Sequence, residues 1–393
     1  SAECIVQAAN PDDHVFEVLA DYVTISGFTV TGATDYVAGV YIYRSNNSRI
    51  ENVNALNNWN GIDLDYSSNN TIAKNTVSSN IWNGIYLYSS SKNSITNNVM
   101  NGDCIVIVGS QLQHWNTHTI EGNIVNGKPL YYFKNQIGGK VLGDVGQVIL
   151  ANCTGMRIEN LSISNTDAGV ELGFSSQNII KNNTASNNLA GILLWYSSSN
   201  TIYNNTASNN LAGILLWYSS SNTIYNNTAS NNLAGILLWY SSSNKVYLNN
   251  FIDDTDNVYS YSSTNTWNST EKITYTYKGS TYTNYLGNYW SDYKGSDADK
   301  DGIGDTPYGI DGDKDYYPLV ERFESYIGSE DGDLNGDGAV DIDDVILLLE
   351  YVGDSSGEPL DGGDVNCDGT INMGDVILLL NHLGDPGRYL IGC

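Results

Sequence analysis

Apolar and polar positions alternate in short stretches along most of the chain, as in A-G-I-L-L-W, and each stretch is followed by shorter apolar pieces set off by Asn, Ser and Gly. Alternation of this kind predicts strands with one face buried, and the density of Gly, Asn and β-branched residues excludes a long helix. The pattern is also periodic. Across 187–244 the run N-N-L-A-G-I-L-L-W-Y-S-S-S-N-T-I-Y-N-N-T-A-S starts again almost unchanged. Leu189, Leu211 and Leu233 hold one place in successive copies and Trp195, Trp217 and Trp239 another, a period of 22 residues. Units of this size bury their apolar face only against their neighbours, so the chain reads as a stack of rungs, each of three short strands joined by tight corners. That is a parallel β-helix, with rungs about 4.8 Å apart along the hydrogen-bonding direction.

The frame Ile-x-x-Asn-x-(small or aliphatic) extends the stack beyond the near-identical copies. It recurs at Ile72/Asn75/Val77, Ile95/Asn98/Met100, Ile120/Asn123/Val125 and Ile180/Asn183/Ala185. Apolar variants occur at Ile25/Phe28/Val30, Ile50/Val53/Ala55 and Ile158/Leu161/Ile163, and Val246/Asn249/Phe251 closes the series. Residues 16–251 are therefore expected to form one solenoid, within a β-helix domain assigned to 1–251. Successive frames lie 22 to 25 residues apart except between Ile120 and Ile158, where 38 residues imply an insertion. It is expected as a protruding loop over G-K-P-L-Y-Y-F-K-N-Q-I-G-G-K. Asn at one corner of rung after rung predicts a ladder in which each side-chain amide bonds the rungs on either side.

Inside G-I-L-L-W-Y, Ile192 and Leu194 are inward. Leu193 and Trp195, then Leu215/Trp217 and Leu237/Trp239, fall in an outward stripe, with Tyr86/Tyr88 and Tyr41/Tyr43 in the equivalent places of earlier rungs. An exposed apolar stripe of this length marks a contact surface. Chemistry is sparse on it. From Gly169 to Asn250 the only charged residues are Glu171, Lys181 and Lys245, so that face offers neither paired carboxylates nor a base for sugar cleavage. Asp63 and Asp65 take the outward places of their own rung, near Lys74, Arg44 and Arg49. They are the nearest approach to a catalytic pair, but no second acidic pair or His stacks beside them, and no catalytic residue is assigned. His114 and His118 lack a third ligand, and Met100, Met156 and Met373 are scattered, so no copper or zinc site is expected.

Charge gathers at the other end. The chain carries 44 acidic and 17 basic residues, a formal net charge of −27, with 10 of the acids in 297–330 and 13 in 331–375. So acidic a surface repels nucleic acid and anionic membranes, and no apolar run approaches the roughly 20 residues of a membrane helix. From Asp253 the rung pattern gives way to Tyr-, Thr- and Ser-rich sequence, read as a cap and tail over 252–328. Within it, D-A-D-K-D-G-I-G-D puts Asp297, Asp299, Asp301 and Asp305 at places 1, 3, 5 and 9 of a calcium loop. Place 12 is Tyr308, and Asp311, Asp313 or Asp315 is the expected substitute ligand.

Two fuller loops follow in 329–393. In D-L-N-G-D-G-A-V-D-I-D-D the ligands are Asp333, Asn335, Asp337, the Ala339 carbonyl, Asp341 and Asp344. In D-V-N-C-D-G-T-I-N-M-G-D they are Asp364, Asn366, Asp368, the Thr370 carbonyl, Asn372 and Asp375. All-oxygen sets at this spacing point to Ca2+, two sites here and a third at 297–305. Each of the two loops leads into V-I-L-L-L, a short apolar helix.

Five cysteines leave an odd count. Cys367 and Cys393 share the C-terminal module and are the candidate disulfide, whereas Cys4, Cys104 and Cys153 read as small buried apolar groups. Candidate glycosylation sequons at Asn46, Asn69, Asn152, Asn160, Asn182, Asn204, Asn226 and Asn268 support an extracellular location. The opening C-I-V-Q-A-A reads as a core strand already under way, as expected of a trimmed start.

The paired loop-helix units over 329–389 resemble a type I dockerin. That resemblance implies calcium-dependent folding and attachment to a cohesin partner, read by loop places 10 and 11. Here these are Ile342/Asp343 and Met373/Gly374, where the family commonly has Ser/Thr. Residues 1–319 resemble the NosD-like, carbohydrate-binding and sugar-hydrolase β-helix family common in archaeal surface proteins, including its G-N-Y-W-S-D-Y and D-A-D-K-D-G-I-G-D-T-P-Y ending. The namesake's copper-linked role does not carry over without ligands.

The expected architecture is mostly β: a right-handed parallel β-helix followed by a small α-helical calcium-binding module. The leading functional expectation is a non-catalytic extracellular scaffold of a cell-surface, filament or sheath assembly. It would dock through Ca2+ to a cohesin-like domain or to neighbouring copies of itself. Two alternatives stay open: a glycan-binding module stacking sugars on Trp195, Trp217 and Trp239, and a polysaccharide lyase or hydrolase at Asp63 and Asp65.

Overall fold

The structure, a computed structural model, describes residues 4–326, 334, 340–353, 360, 362–366 and 369–384. It divides into two compact units, Ser1–Glu271 with Tyr285–Ala298 and Ile303–Val320, and Lys272–Asn284 with Asp299–Gly302 and Glu321–Cys393.

The first unit is the solenoid. Strand Ala190–Trp195 lies in parallel between Ala168–Gly173 and Ala212–Trp217, which pairs Leu193 with Leu215 and Trp195 with Trp217. Period-2 alternation does what it implies: Ile192, Leu194, Ile214, Leu216, Ile236 and Leu238 are buried, joined from the other two walls by Ile202, Ile224, Ala207 and Ala229. Burying each of the larger side chains is worth about 1.5 to 3 kcal/mol, but only while a neighbouring rung covers it. Rungs sit so close that a Cβ on Gly213 would lie 2.6 Å from the Gly235 carbonyl oxygen, which explains the repeated A-G.

Buried asparagines tie the corners. Along Asn183, Asn205, Asn227 and Asn249 each backbone N–H donates to the Oδ1 of the Asn one rung on, at 3.0 Å for the first three steps and 3.1 Å from Asn249 to Asn288. The Nδ2 of Asn205 turns back to the Ile180 carbonyl at 2.8 Å. Each ladder is therefore polar, and its last member has only to accept. Aspartate meets that need at Asp103, Asp254 and Asp315, which receive the N–H of Asn80, Asn232 and Asn288.

The coil is not continuous. Residues 127–140, expected as a protruding loop, lie largely in strands Lys128–Lys134 and Ile137–Val141. Asn126 and Gly127, at φ of 50° and 80°, turn the chain back tightly, so that Ile124–Val125 pairs antiparallel with Lys128–Lys134. The coil then restarts with its walls exchanged. One 13-stranded sheet runs through both halves. It is built from the last strand of each rung up to Ile124–Val125 and from the long strands, Gln147–Ala151 to Asp256–Tyr261, after the turn. The long strands of the first half make a separate five-stranded sheet that ends on Ile105–Val108.

Strand pairing runs on past residue 251. Asp256–Tyr261 joins the long-strand wall, and Tyr289–Trp290 another. The hairpin Tyr308–Ile310/Asp313–Asp315 then closes three columns. Ser260 N–H donates to Asp311 Oδ2 at 3.0 Å, Asn265 N–H to Asp313 Oδ2 at 2.8 Å, and Asn288 N–H to Asp315 Oδ2 at 2.8 Å. The residues expected as spare calcium ligands thus satisfy the unpaired donors of the last rungs.

In the second unit, Ile273–Tyr277 and Ser280–Asn284 form an antiparallel hairpin, and the Tyr277 ring stacks on Tyr326. Helices Ile342–Gly353 and Met373–Gly384 share a small core of Val345, Leu348, Val365, Val376 and Leu379. Among the described residues no helix is long and apolar enough to cross a membrane.

Candidate functional site

The two halves of the solenoid meet on the outward face of the restarted long-strand wall. Strand Ile105–Val108 ends its sheet, which leaves backbone groups without a strand partner. Side chains supply one. Ile105 N–H donates to Gln147 Oε1 at 3.2 Å, and Gln147 Nε2 donates to the Ile105 carbonyl at 2.6 Å. Glu171 Oε1 accepts Ile107 N–H at 3.0 Å, and Asp167 Oδ2 accepts the N–H groups of Gly84 and Cys104 at 2.9 and 2.8 Å. Burial drives both carboxyls well above the usual range. Helix Gln113–Asn116 adds Trp115, fully buried over Gly173, where a Cβ would fall 1.9 Å from its ring. The indole N–H groups of Trp115 and Trp195 both donate to the Gly109 carbonyl, at 3.0 and 3.1 Å.

This junction corrects the stripe. Leu193 points outward as alternation requires, but the first half covers it and leaves 7% exposed. Trp195, Leu215, Trp217, Leu237 and Trp239 remain part-exposed. The rings form a column: Trp195 to Trp217 at 5.0 Å and 8°, Trp217 to Trp239 at 5.1 Å and 10°, then Tyr261 at 4.5 Å. Stacked this way, the rings cover one another's faces and turn their edges to solvent. A sugar stacks on an exposed ring face, so the column is a poor platform for one. At its foot opens an apolar cleft of about 260 Å³, walled by Trp82, Tyr86, Val108, Leu193, Leu215 and Trp217.

Asp63 and Asp65 lie on the first half's outward face between Tyr41/Tyr43 and Tyr86/Tyr88. Asn60 Nδ2 donates to Asp63 Oδ2 at 2.8 Å, and the Tyr41 hydroxyl donates to Asp65 Oδ2 at 3.0 Å. Asp63 Oδ1 is buried without a hydrogen-bond partner. Burial first, then Asp65, pushes Asp63 well above the usual range, and burial raises Asp65 as well.

His114 and His118 serve the fold. His118 Nδ1 accepts Asn93 N–H at 3.2 Å, closing the Asn70–Asn93 ladder, and burial lowers its pKa to about 4. Cys104 and Cys153 are buried, but Cys4 is exposed, because its strand edges the sheet. None of the eight sequon asparagines is buried.

In the C-terminal module, Asp333, Asn335, Asp337, Ala339, Asp368, Cys367 and Cys393 lie outside the described residues. The described part shows two loops organised alike. Asp344 and Asp375, at place 12, are fully buried. Asp344 accepts Leu334 and Asp341 N–H, both at 2.7 Å, and Asp375 accepts Asn366 and Asn372 N–H at 3.2 and 2.8 Å. Asp364 Oδ2 accepts Gly369 N–H at 2.8 Å, which tightens the turn. Every predicted side-chain or carbonyl ligand is an oxygen, the donor set Ca2+ takes. In the loop 297–305, one carboxylate oxygen each of Asp297, Asp299 and Asp301 lies within 4.8 Å of the others. Asp305 is engaged elsewhere, accepting from Ser296 Oγ and Ala298 N–H.

Comparison with known proteins agrees with this division. Residues 8–143 match the family described as right handed beta helix region, 124–295 the family described as periplasmic copper-binding protein (NosD), and 331–384 the dockerin type I domain. The chain is thus a parallel β-helix, similar to the NosD family over 124–295, that also carries a dockerin type I region, a calcium-binding domain class. No curated protein matches it. Among solved structures it is similar to an alginate lyase of Paenibacillus sp. str. FPU-7, at 14% identity and a TM-score of 0.30, over 57% of this chain and 84% of that one. It is also similar to the A-module of the Azotobacter vinelandii mannuronan C-5 epimerase AlgE6, at 15% identity and a TM-score of 0.27, over 67% and 87%. At such scores the likeness extends to neither substrate nor activity.

Proposed function

We propose that this chain is a non-catalytic extracellular scaffold, a β-helical body attached to a cell-surface or filament assembly by its calcium-loaded dockerin module. The observation that carries the reading is the equivalence of the two loops, each gathered around a buried place-12 aspartate, Asp344 and Asp375. Ca2+ bound by these loops neutralises their carboxylates and lets the two helices pack, which presents a docking face to a cohesin-like domain. Asp297, Asp299 and Asp301 would hold a third ion. The outer wall supports the non-catalytic half of the proposal. It carries no charged residue from Asn182 to Asn244, and Asp63, the nearest approach to a catalytic acid, is buried against Asn60. Incubation with alginate, pectate and other acidic polysaccharides should release neither unsaturated nor reducing sugar. Release that disappears in Asp63→Asn would make the protein an enzyme.

A further inference from the structure

The chain uses only part of its own stripe. On the first rungs after the restart, Ile149, Glu171 and Leu193 are buried under the end of the first half. The next two rungs repeat the same pair of side chains, Leu215/Trp217 and Leu237/Trp239, in unbroken register, and these stay part-exposed. A surface that already buries one strand edge of this chain therefore continues, uncovered, for two more rungs.

Charge says what can approach it. On a chain of net charge −27, the 63 residues from Asn182 to Asn244 carry no ionisable acid or base of the Asp, Glu, Lys or Arg kind. Most of that charge lies in 297–375, and there two such chains repel each other. Here they do not. The exposed groups are Leu methyls and indole edges, which gain by burial against a like surface, and the apolar cleft beside Leu215 and Trp217 offers depth for packing. A glycan is disfavoured because the ring faces are already stacked on one another.

We propose that Leu215, Trp217, Leu237 and Trp239 form the contact face for a second copy of this chain, the two stripes lying against each other about a twofold axis. The inference deepens the scaffold reading and rests on it, but its contact is independent of calcium.

Sedimentation velocity of the full chain at micromolar concentration, in calcium and in EDTA, tests it. A dimer is expected in both. The double variant Leu215→Lys/Leu237→Lys should be monomeric at the same concentration, at least tenfold weaker in association. A dimer lost in EDTA alone would assign association to the calcium module and overturn the proposal while leaving calcium docking intact. Monomer throughout, or a dimer that survives in the variant, overturns it too. Should the variant not fold, dilution of the unaltered chain decides. Its tryptophan emission should move to the red as the dimer dissociates, and emission that stays constant through dissociation contradicts the assignment.

Discussion

The side-chain amide of Gln147 pairs with both backbone groups of Ile105, accepting its N–H at 3.2 Å and donating to its carbonyl at 2.6 Å, as a neighbouring strand would. This is how the first half of the solenoid ends without a free edge. Gln147→Leu keeps the size and removes both partners, stranding two buried backbone groups. A loss of about 2 to 6 kcal/mol is expected from urea unfolding of the β-helix, at about 1 to 3 kcal/mol for each unsatisfied group. A change within experimental error would mean that the amide does not hold the junction.

Gly173 is the one place in the tryptophan column where the chain supplies no side chain, and Trp115 fills it from the other half. Gly173→Ala should therefore cost about 1 to 3 kcal/mol through overpacking against the indole. The equivalent change at Gly127, where no atom lies within 4 Å, should act through its positive φ alone. Thermal melts of the two variants separate the effects, and a Gly173 variant as stable as the parent would refute the fit.

Burial pushes the ladder-closing residues Asp103, Asp254 and Asp315 up to about 6. A folded-state pKa above the ordinary value means that the folded chain holds the proton more tightly. The stabilising contribution is complete below about pH 4 and is lost as pH rises through about 6. The β-helix melting temperature should fall between pH 4 and 7, with the buried Asp167 and Glu171 acting in the same direction. Asp254 Oδ2 is buried without a partner, while its Oδ1 already accepts as a ladder asparagine would. Asp254→Asn should thus be more stable at pH 7 by about 1 kcal/mol and show a shallower pH slope. An unchanged slope would count against the ladder account.

Much of this was legible in residue order, and the misses share one cause. Alternation and the 22-residue period are local signals, and they place Ile192, Leu194 and the asparagine ladders where the structure has them. What lies over an outward side chain is not local, which is why Leu193 reads as exposed and is buried. The restart at 126–141 does have a signal, the Asn126-Gly127 pair between apolar runs, a strong hairpin mark that the 38-residue gap obscures. Asp311, Asp313 and Asp315 mislead for a related reason. Acids two apart look the same in sequence whether they wait for an ion or for the N–H groups of a last rung.

Asp344 and Asp375 organise their loops from within, so chelation should act on the C-terminal module before the β-helix. Calorimetry in EDTA should show the module's transition lost or lowered and the β-helix transition unmoved, and Asp375→Ala in calcium should weaken the module similarly. A joint shift of both transitions would show that calcium holds the solenoid instead.

The central claim is that calcium in the paired loops makes this chain a connector. Retention of the full chain on an immobilised type I cohesin tests it most directly, in calcium and then in EDTA. The account predicts retention in millimolar calcium, release by EDTA, and loss of retention in the double variant Asp344→Ala/Asp375→Ala. Retention that is indifferent to EDTA, or none in calcium, would contradict it.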